Sequence, residues 1–325
     1  MSRIRRILCP VDFSESSRRA LDRAAALAGP HGASLAVLYV SPHLPVMDVP
    51  PPRLSDERRA ELTSELRQFT ASVPAGVDVD THIVEAEDVA RAINQVASEL
   101  GADLVVMGSH GRSGFKRLML GSVTENTLPG GPCPVLVVPP PPEGAAPAPP
   151  GGQAPSAPFR RILCAIDFSP MSAAVLNQAL VLAEQGGGEL TLIHVIEVPP
   201  ELRGPQVADL TDVDRLRAAE EARCLRALRE LVPDRARVHC TVYTLVGEGP
   251  ADQVILKAAA ARQADLIVMG VRGHGVLDLV IFGSKTRHVV RAAPCPVLVV
   301  HERQEVAEVA PATAAASQRA PGDKT

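Results

Sequence analysis

The 325-residue chain has no tryptophan and only two tyrosines. This scarcity removes the aromatic platforms on which single-stranded nucleic acids stack. The net charge is −4, so the sequence also lacks the cationic excess of proteins that bind a phosphate backbone. We therefore expect no nucleic-acid partner.

Long apolar runs and metal-like cysteine spacings are also missing. No run approaches the roughly 20 apolar residues of a membrane span. The short run after Arg5 and Arg6 is interrupted by Asp12, so it predicts a strand rather than a signal peptide. The six cysteines form no C-x-x-C pair and no metal-like spacing with histidine. We expect no membrane partner, no metal site, a cytoplasmic location and buried, reduced thiols.

What the sequence does contain is an internal repeat. The segment 102–108 (ADLVVMG) returns as 264–270 (ADLIVMG), and CPVLVV occurs both at 133–138 and at 295–300. The beginnings of the two copies agree as well, and the second copy carries extra residues that we place in the Pro-rich stretch 198–214. A period this long predicts two globular domains rather than a solenoid. The expected limits are 1–140 and 159–301, with a Pro/Gly/Ala-rich linker at 141–158 and a disordered tail at 302–325.

Each copy alternates apolar, strand-like runs with helical stretches. In the first copy we expect strands at 7–11, 35–40, 77–84, 104–107 and 135–138, and helices at 16–28, 58–70 and 89–100. In the second copy helices are expected near 174–184, 216–231 and 251–262. Ser14 is the expected start signal of the first helix, and Gly29-Pro30 its stop signal.

The alternation predicts an α/β fold with two doubly wound domains, each containing a five-stranded parallel sheet. An assumed strand order of 3-2-1-4-5 places a ligand crevice between the first and fourth strands.

A glycine-spaced loop follows the fourth strand of both copies, with the pattern G-x-x-G-x9-G-S. Its residues are Gly108, Gly111, Gly121 and Ser122 in the first copy, and Gly270, Gly273, Gly283 and Ser284 in the second. Glycines let backbone N–H groups approach a ligand closely, and a helix that opens at Gly-Ser can receive a phosphate. Arg112, Lys116 and Arg117 add positive charge to the first loop. The alternative is that these glycines only form a tight turn between a strand and a helix.

Two kinds of titratable side chain lie near these loops. Asp12 and Asp167 end the first strand of each copy, where a carboxylate can accept a ribose hydroxyl. Beside Ser14 and Ser169, these carboxylates could instead only help to cap the next helix. His110 and His274 do not occupy equivalent positions, so we interpret them as solvated loop residues and assign no catalytic residue.

At these residues the chain resembles the universal stress protein family, in a tandem (UspA-like) form. The resemblance lies in the opening VDFS at 11–14, the ADLVVMG strand, the glycine loop and the closing CPVLVV. It covers both halves and implies the fold of the adenine nucleotide alpha hydrolase-like (HUP) proteins. It also implies ATP or ADP as ligand, with Mg²⁺ as an accompanying ion, acting in a regulatory or stabilising role in stress response with at most slow hydrolysis.

The resemblance also implies two sets of nucleotide-binding residues. The first set is Pro10, Asp12, Val40, Met107, Gly108, Gly111, Gly121, Ser122 and Val123. The second set is Ala165, Asp167, Val195, Met269, Gly270, Gly273, Gly283, Ser284 and Lys285. Val40 would present backbone groups to adenine, Asp12 would hold ribose and the glycine loop would hold phosphates. The family's Gly-x-Pro before the third helix is present only in the second half, at 247–250, and Asp278 lies in the second loop. Three basic residues in the first loop and the acidic Asp278 in the second predict tighter binding by the first half.

Two other functions stay open: an ATP-using adenylyl- or phosphoryl-transfer enzyme, and a nucleotide-free scaffold. Against the enzyme, the two loops share no repeated acid–base residue. For assembly, the apolar last strands at 135–138 and 297–300 predict edge-to-edge pairing of the two halves into an intramolecular pseudo-dimer. The alternatives are a homodimer and two independent domains on a stiff linker.

Overall fold

The computed structural model describes residues 4–43, 54–111, 120–141, 159–197, 211–271 and 282–301. The strands and helices of the first half are β1 (Arg6–Val11), α1 (Glu15–His31), β2 (Ser34–Pro42), α2 (Asp56–Thr70), β3 (Val79–Ala86), α3 (Val89–Glu99), β4 (Leu104–Gly108), α4 (Ser122–Thr127) and β5 (Val135–Val138). A 3₁₀ turn at Leu128–Gly130 follows α4.

The second half repeats this order with one additional short helix. Its elements are β6 (Arg161–Ala165), α5 (Ser172–Gly186), β7 (Glu189–Ile196), α6 (Thr211–Leu231), α7 (Ala236–His239), β8 (Thr241–Glu248), α8 (Ala251–Ala261), β9 (Leu266–Gly270), α9 (Ser284–Ala292) and β10 (Val297–Val300). The predicted insertion falls mainly on residues 198–210, which lie outside the described residues.

The described strands form one continuous sheet in the order β3-β2-β1-β4-β5-β10-β9-β6-β7-β8. Within each half the neighbouring strands are parallel, and each half has the order 3-2-1-4-5. The α/β fold and the assumed strand order are therefore confirmed. The winding direction reverses between β1 and β4, and again between β6 and β9.

The two halves meet at their last strands, which pair antiparallel. Leu136 pairs with Leu298 at the centre, and Val137 pairs with Val297 beside them. Because Leu136 and Leu298 are equivalent residues of the repeat, a local pseudo-twofold axis passes between them. The edge-to-edge pairing expected from the apolar terminal strands is present.

Side chains of each strand alternate between two apolar layers, as the pleat of a strand requires. In β1, Ile7 packs in the layer that includes α1, whereas Leu8 packs in the layer that includes α3. Both layers continue through the junction, because Leu136 belongs to the first and Val137 to the second. The core is thus shared across the β5–β10 seam.

One helix boundary differs from the sequence prediction. Ser14 caps α1 as expected, with its Oγ accepting from Ser17 N at 3.2 Å. Gly29-Pro30, however, does not stop the helix: Pro30 lies inside it, and the helix ends where Gly32 adopts φ 58°. A proline in the last turn removes only one N–H, whereas a left-handed glycine closes the helix with its own capping bonds.

Among the residues that the structure describes, no helix combines the length and apolar character needed to cross a membrane.

Candidate functional site

A cavity of about 280 Å³ lies in the first half, at the carboxyl ends of β1 and β4. This is the point at which the winding direction reverses, where open α/β sheets bind their ligands. Its volume is close to the lower end of the range for small-molecule sites. The residues that line it are Pro10, Val11, Asp12, Ser17, Leu38, Val40, Val89, Ile93, Met107, Gly108, His110, Gly111, Gly121, Ser122, Val123 and Thr124.

All nine residues that the family resemblance assigned to the first site line this one cavity. Of the other lining residues, Val11 and His110 lie within the quoted motifs, whereas Leu38, Val89 and Ile93 belong to none. Leu38, Val89 and Ile93 are ordinary core-type residues in sequence, and only their place in the fold brings them to the site. Helical periodicity could have indicated that Val89 and Ile93 lie on the inward face of α3. It could not have indicated that Leu38 of β2 lines the same cavity.

One side of the cavity is apolar. Leu38 and Val40 come from the end of β2, and Val89 and Ile93 come from the first turns of α3. Met107, at the end of β4, is only 4% exposed. These side chains form a slot with the chemistry of a site for a flat, weakly polar ring.

The carboxylate of Asp12 also belongs to the lining of this cavity. Its Oδ1 accepts hydrogen bonds from Ser14 N at 3.1 Å and from Ser14 Oγ at 2.6 Å. Asp12 thus shapes the turn into α1 and lines the cavity at the same time, so the capping and ligand interpretations are compatible. Between these residues Phe13 has φ 64°, an unfavourable backbone conformation for a side chain of this size.

At three glycines of the first loop, neighbouring atoms lie close to the place that a Cβ would occupy. A Cβ on Gly111 would lie 2.9 Å from Asp12 Oδ2, and one on Gly121 would lie 3.3 Å from Ser109 O. A Cβ on Gly108 would come within 3.0 Å of the backbone of Ser16. A side chain at Gly108 or Gly111 would displace a neighbouring group, whereas at Gly121 the neighbouring backbone would have to move by a few tenths of an ångström.

Hydrogen bonds fix both ends of the loop. Thr124 Oγ1 donates to Gly108 O at 2.8 Å, and Gly121 N donates to Ser109 O at 2.8 Å. The interpretation of His110 as a solvated residue is wrong. Its side chain is partly buried and lines the cavity, and its Nδ1 lies 2.7 Å from Ser109 Oγ.

Several predicted features fall outside the described residues. In the first loop these are Arg112, Lys116 and Arg117, and in the second loop Gly273, His274 and Asp278. The tighter binding by the first half, which was predicted from the different charges of the two loops, therefore stays a prediction.

The second half builds the same frame around β6 and β9. Asp167 Oδ1 accepts from Ser169 Oγ at 2.6 Å and from Ser172 Oγ at 2.8 Å, and Phe168 repeats the positive φ at 59°. Thr286 Oγ1 donates to Gly270 O at 3.1 Å, as its equivalent does in the first half.

The remaining described residues of the second set lie on the strands of this half and at the beginning of α9, and their role in binding stays a prediction. Ala165 ends β6, Val195 lies near the end of β7, Met269 and Gly270 end β9, and Gly283, Ser284 and Lys285 begin α9.

Lys285 distinguishes the second half from the first. Its Nζ forms an ion pair with Glu197 Oε2, and Glu197 Oε1 accepts from Ala251 N at 3.2 Å. A carboxylate therefore connects the first turn of α8 with the first turn of α9.

All six cysteines are buried free thiols. Burial raises the pKa of Cys9 and of Cys164 far above the usual range, and burial together with Asp265 raises the pKa of Cys295 to about 12. Thiols held protonated in this way are poor nucleophiles and metal ligands, which agrees with the structural role expected of them.

Comparison with known proteins places both copies in one family. The sequence model of the universal stress protein family matches residues 3–139 and again residues 158–301. A universal stress protein of Mycolicibacterium smegmatis is 28% identical over 310 residues, which are 91% of this chain and 97% of that protein. One from Thermus aquaticus is 34% identical over 142 residues, 44% of this chain and 98% of that protein. Among solved structures, a universal stress protein from Archaeoglobus fulgidus is 25% identical with a TM-score of 0.61, covering 92% of this chain and 98% of that chain.

Proposed function

We propose that this chain, which belongs to the universal stress protein family, binds ATP in the cavity of its first half. The nucleotide acts as a regulatory or stabilising ligand in a cytoplasmic stress response, and ADP is the expected alternative occupant. A reducing cytoplasm is also the compartment in which six free thiols persist. The proposed domain limits are those expected from the sequence, 1–140 and 159–301.

The observation that carries this proposal is the composition of one continuous cavity. Its apolar slot between Val40 and Ile93 suits a purine ring, and the carboxylate of Asp12 can accept from ribose hydroxyls. Gly111 and Gly121 also line the cavity, and because they carry no side chain their backbone can be approached closely by phosphate oxygens. The first N–H groups of α4 lack acceptors within the helix, and Ser122 and Val123 of this turn line the cavity. Mg²⁺ would accompany the phosphates.

A regulatory role fits the residues better than catalysis does. Among the residues that line the cavity, Asp12 is the carboxylate and His110 the imidazole. Asp12 is already engaged by Ser14, and the second half has Arg272 at the position equivalent to His110. An adenylyl- or phosphoryl-transfer enzyme would need a positioned general base and metal ligands at this point.

Calorimetric titration of the full chain with Mg²⁺ and ATP tests the proposal. Gly111→Val places a side chain against Asp12 and should reduce ATP affinity by at least about tenfold. Gly76→Val is the matched control, because a Cβ there meets no atom within 4 Å and binding should not change. Wild-type chain without measurable ATP binding would favour the nucleotide-free scaffold instead.

A further inference from the structure

The two candidate nucleotide sites differ at two walls, each built from the first turn of a helix. In the first cavity these walls carry Val89, the first residue of α3, and Val123, the second residue of α4. Both side chains are apolar. Val123 is 37% exposed, so this wall faces an open slot.

The equivalent residues of the second half are Ala251, which begins α8, and Lys285, which follows the Gly-Ser pair of α9. Glu197 lies directly after β7, at the position that Pro42 has in the first half. Its carboxylate accepts from Ala251 N and pairs with Lys285 Nζ, so that it bridges the two walls.

We infer that the Glu197–Lys285 ion pair makes the second half the weaker nucleotide site. This inference rests on the proposed function, since it concerns the same ligand. Where the first cavity has Val123, the second half has Lys285 paired with Glu197, and a bound base would have to displace or desolvate these charged groups. Glu197 also neutralises the cation that would otherwise attract a polyphosphate.

The size of the effect is limited by solvent. The side chains of Lys285 and Glu197 are 54% and 40% exposed, and ion pairs at such exposure are weak. We therefore expect a difference of about threefold to tenfold from this pair alone.

Photolabelling of the full chain with 8-azido-ATP, followed by peptide mass spectrometry, separates the two halves without dissecting them. The wild-type chain should be labelled mainly in the first half. The variant Lys285→Val/Glu197→Ala restores an apolar slot, and labelling of the second half at limiting probe should rise by about threefold to tenfold. The reciprocal change Val123→Lys should reduce labelling of the first half.

The matched control is Arg58→Ala/Glu61→Ala, which removes an exposed ion pair on α2 whose atoms lie 2.8 Å apart. Its labelling pattern should equal that of wild type. Equal labelling of both halves in the wild-type chain, or no gain in the second half of Lys285→Val/Glu197→Ala, would overturn the inference. Failure of the proposed function looks different: neither half would be labelled in a manner that ATP competes away, and calorimetry would show no ATP binding.

Discussion

Glu125 and Arg287 occupy equivalent positions of the two halves and form an ion pair with each other, with Arg287 Nη1 3.2 Å from Glu125 Oε1. They meet because the antiparallel pairing of β5 with β10 places α4 and α9 on either side of the pseudo-twofold axis. In a symmetric dimer of one half, the same residue would face its own copy. The exchange of glutamate for arginine therefore favours pairing of the first half with the second.

We predict that this pair couples the two halves energetically. A double-mutant cycle with Glu125→Ala and Arg287→Ala should give a coupling free energy of about 0.5 kcal/mol, because both side chains are partly exposed. Arg287 also lies over the Phe282 ring, and the double-mutant cycle separates the loss of that contact from the coupling between the two charges. Urea unfolding of the full chain measures the coupling, and raised salt should weaken it. A coupling indistinguishable from zero at low salt would show that the pair does not help to select the partner.

The strand seam should be sensitive to a buried charge. Val137 is 1% exposed and faces Val297 across the junction, so Val137→Asp would bury an unpaired carboxylate. We expect the radius of gyration from solution scattering to increase as the halves separate. Val137→Ala removes packing without charge and should stay compact. Unchanged dimensions of the aspartate variant, with its far-UV circular dichroism intact, would contradict the role of the seam.

The buried thiols predict a loss of stability at alkaline pH. Unfolded thiols titrate near about 8.5, whereas burial raises the pKa of Cys9 and of Cys164 well above that value in the folded chain. Above about pH 8.5 the unfolded chain releases protons that the folded chain retains, so the free energy of unfolding falls as pH rises.

Cys9→Ala should reduce this slope by up to about 1.4 kcal/mol per pH unit. Its packing cost appears alone at pH 7, which serves as the internal control. Urea unfolding between pH 7 and pH 10.5 makes the comparison. An identical slope in both proteins would show that Cys9 does not hold its proton as described.

The parts of the fold that follow from periodicity could be predicted from sequence. The repeat, the α/β alternation and the apolar last strands indicated two parallel sheets and the seam between β5 and β10, whereas the strand order had to be assumed. Helix boundaries were predicted less accurately, since Gly32 rather than Gly29-Pro30 ends α1. The positive φ of Phe13 could not be predicted either, because phenylalanine has no preference for that conformation.

The site was predictable where a motif records it and not where distant segments converge. Asp12 and the glycines of the first loop carry recognisable spacing, and they line the cavity together. Leu38 and Ile93 reach the same cavity through tertiary folding. The bridge from Lys285 to Glu197 joins positions far apart in the chain, so it becomes visible only in three dimensions.

The central claim, that the first half holds an adenine nucleotide, is tested most directly by releasing whatever the purified protein carries. Full-length chain would be denatured and the released small molecules quantified by liquid chromatography and mass spectrometry. We predict ATP or ADP at about one molecule per chain in wild type and in Gly76→Val, and little or none in Gly111→Val. A wild-type protein that releases no adenine nucleotide, and takes up none from added ATP before denaturation, would contradict the account.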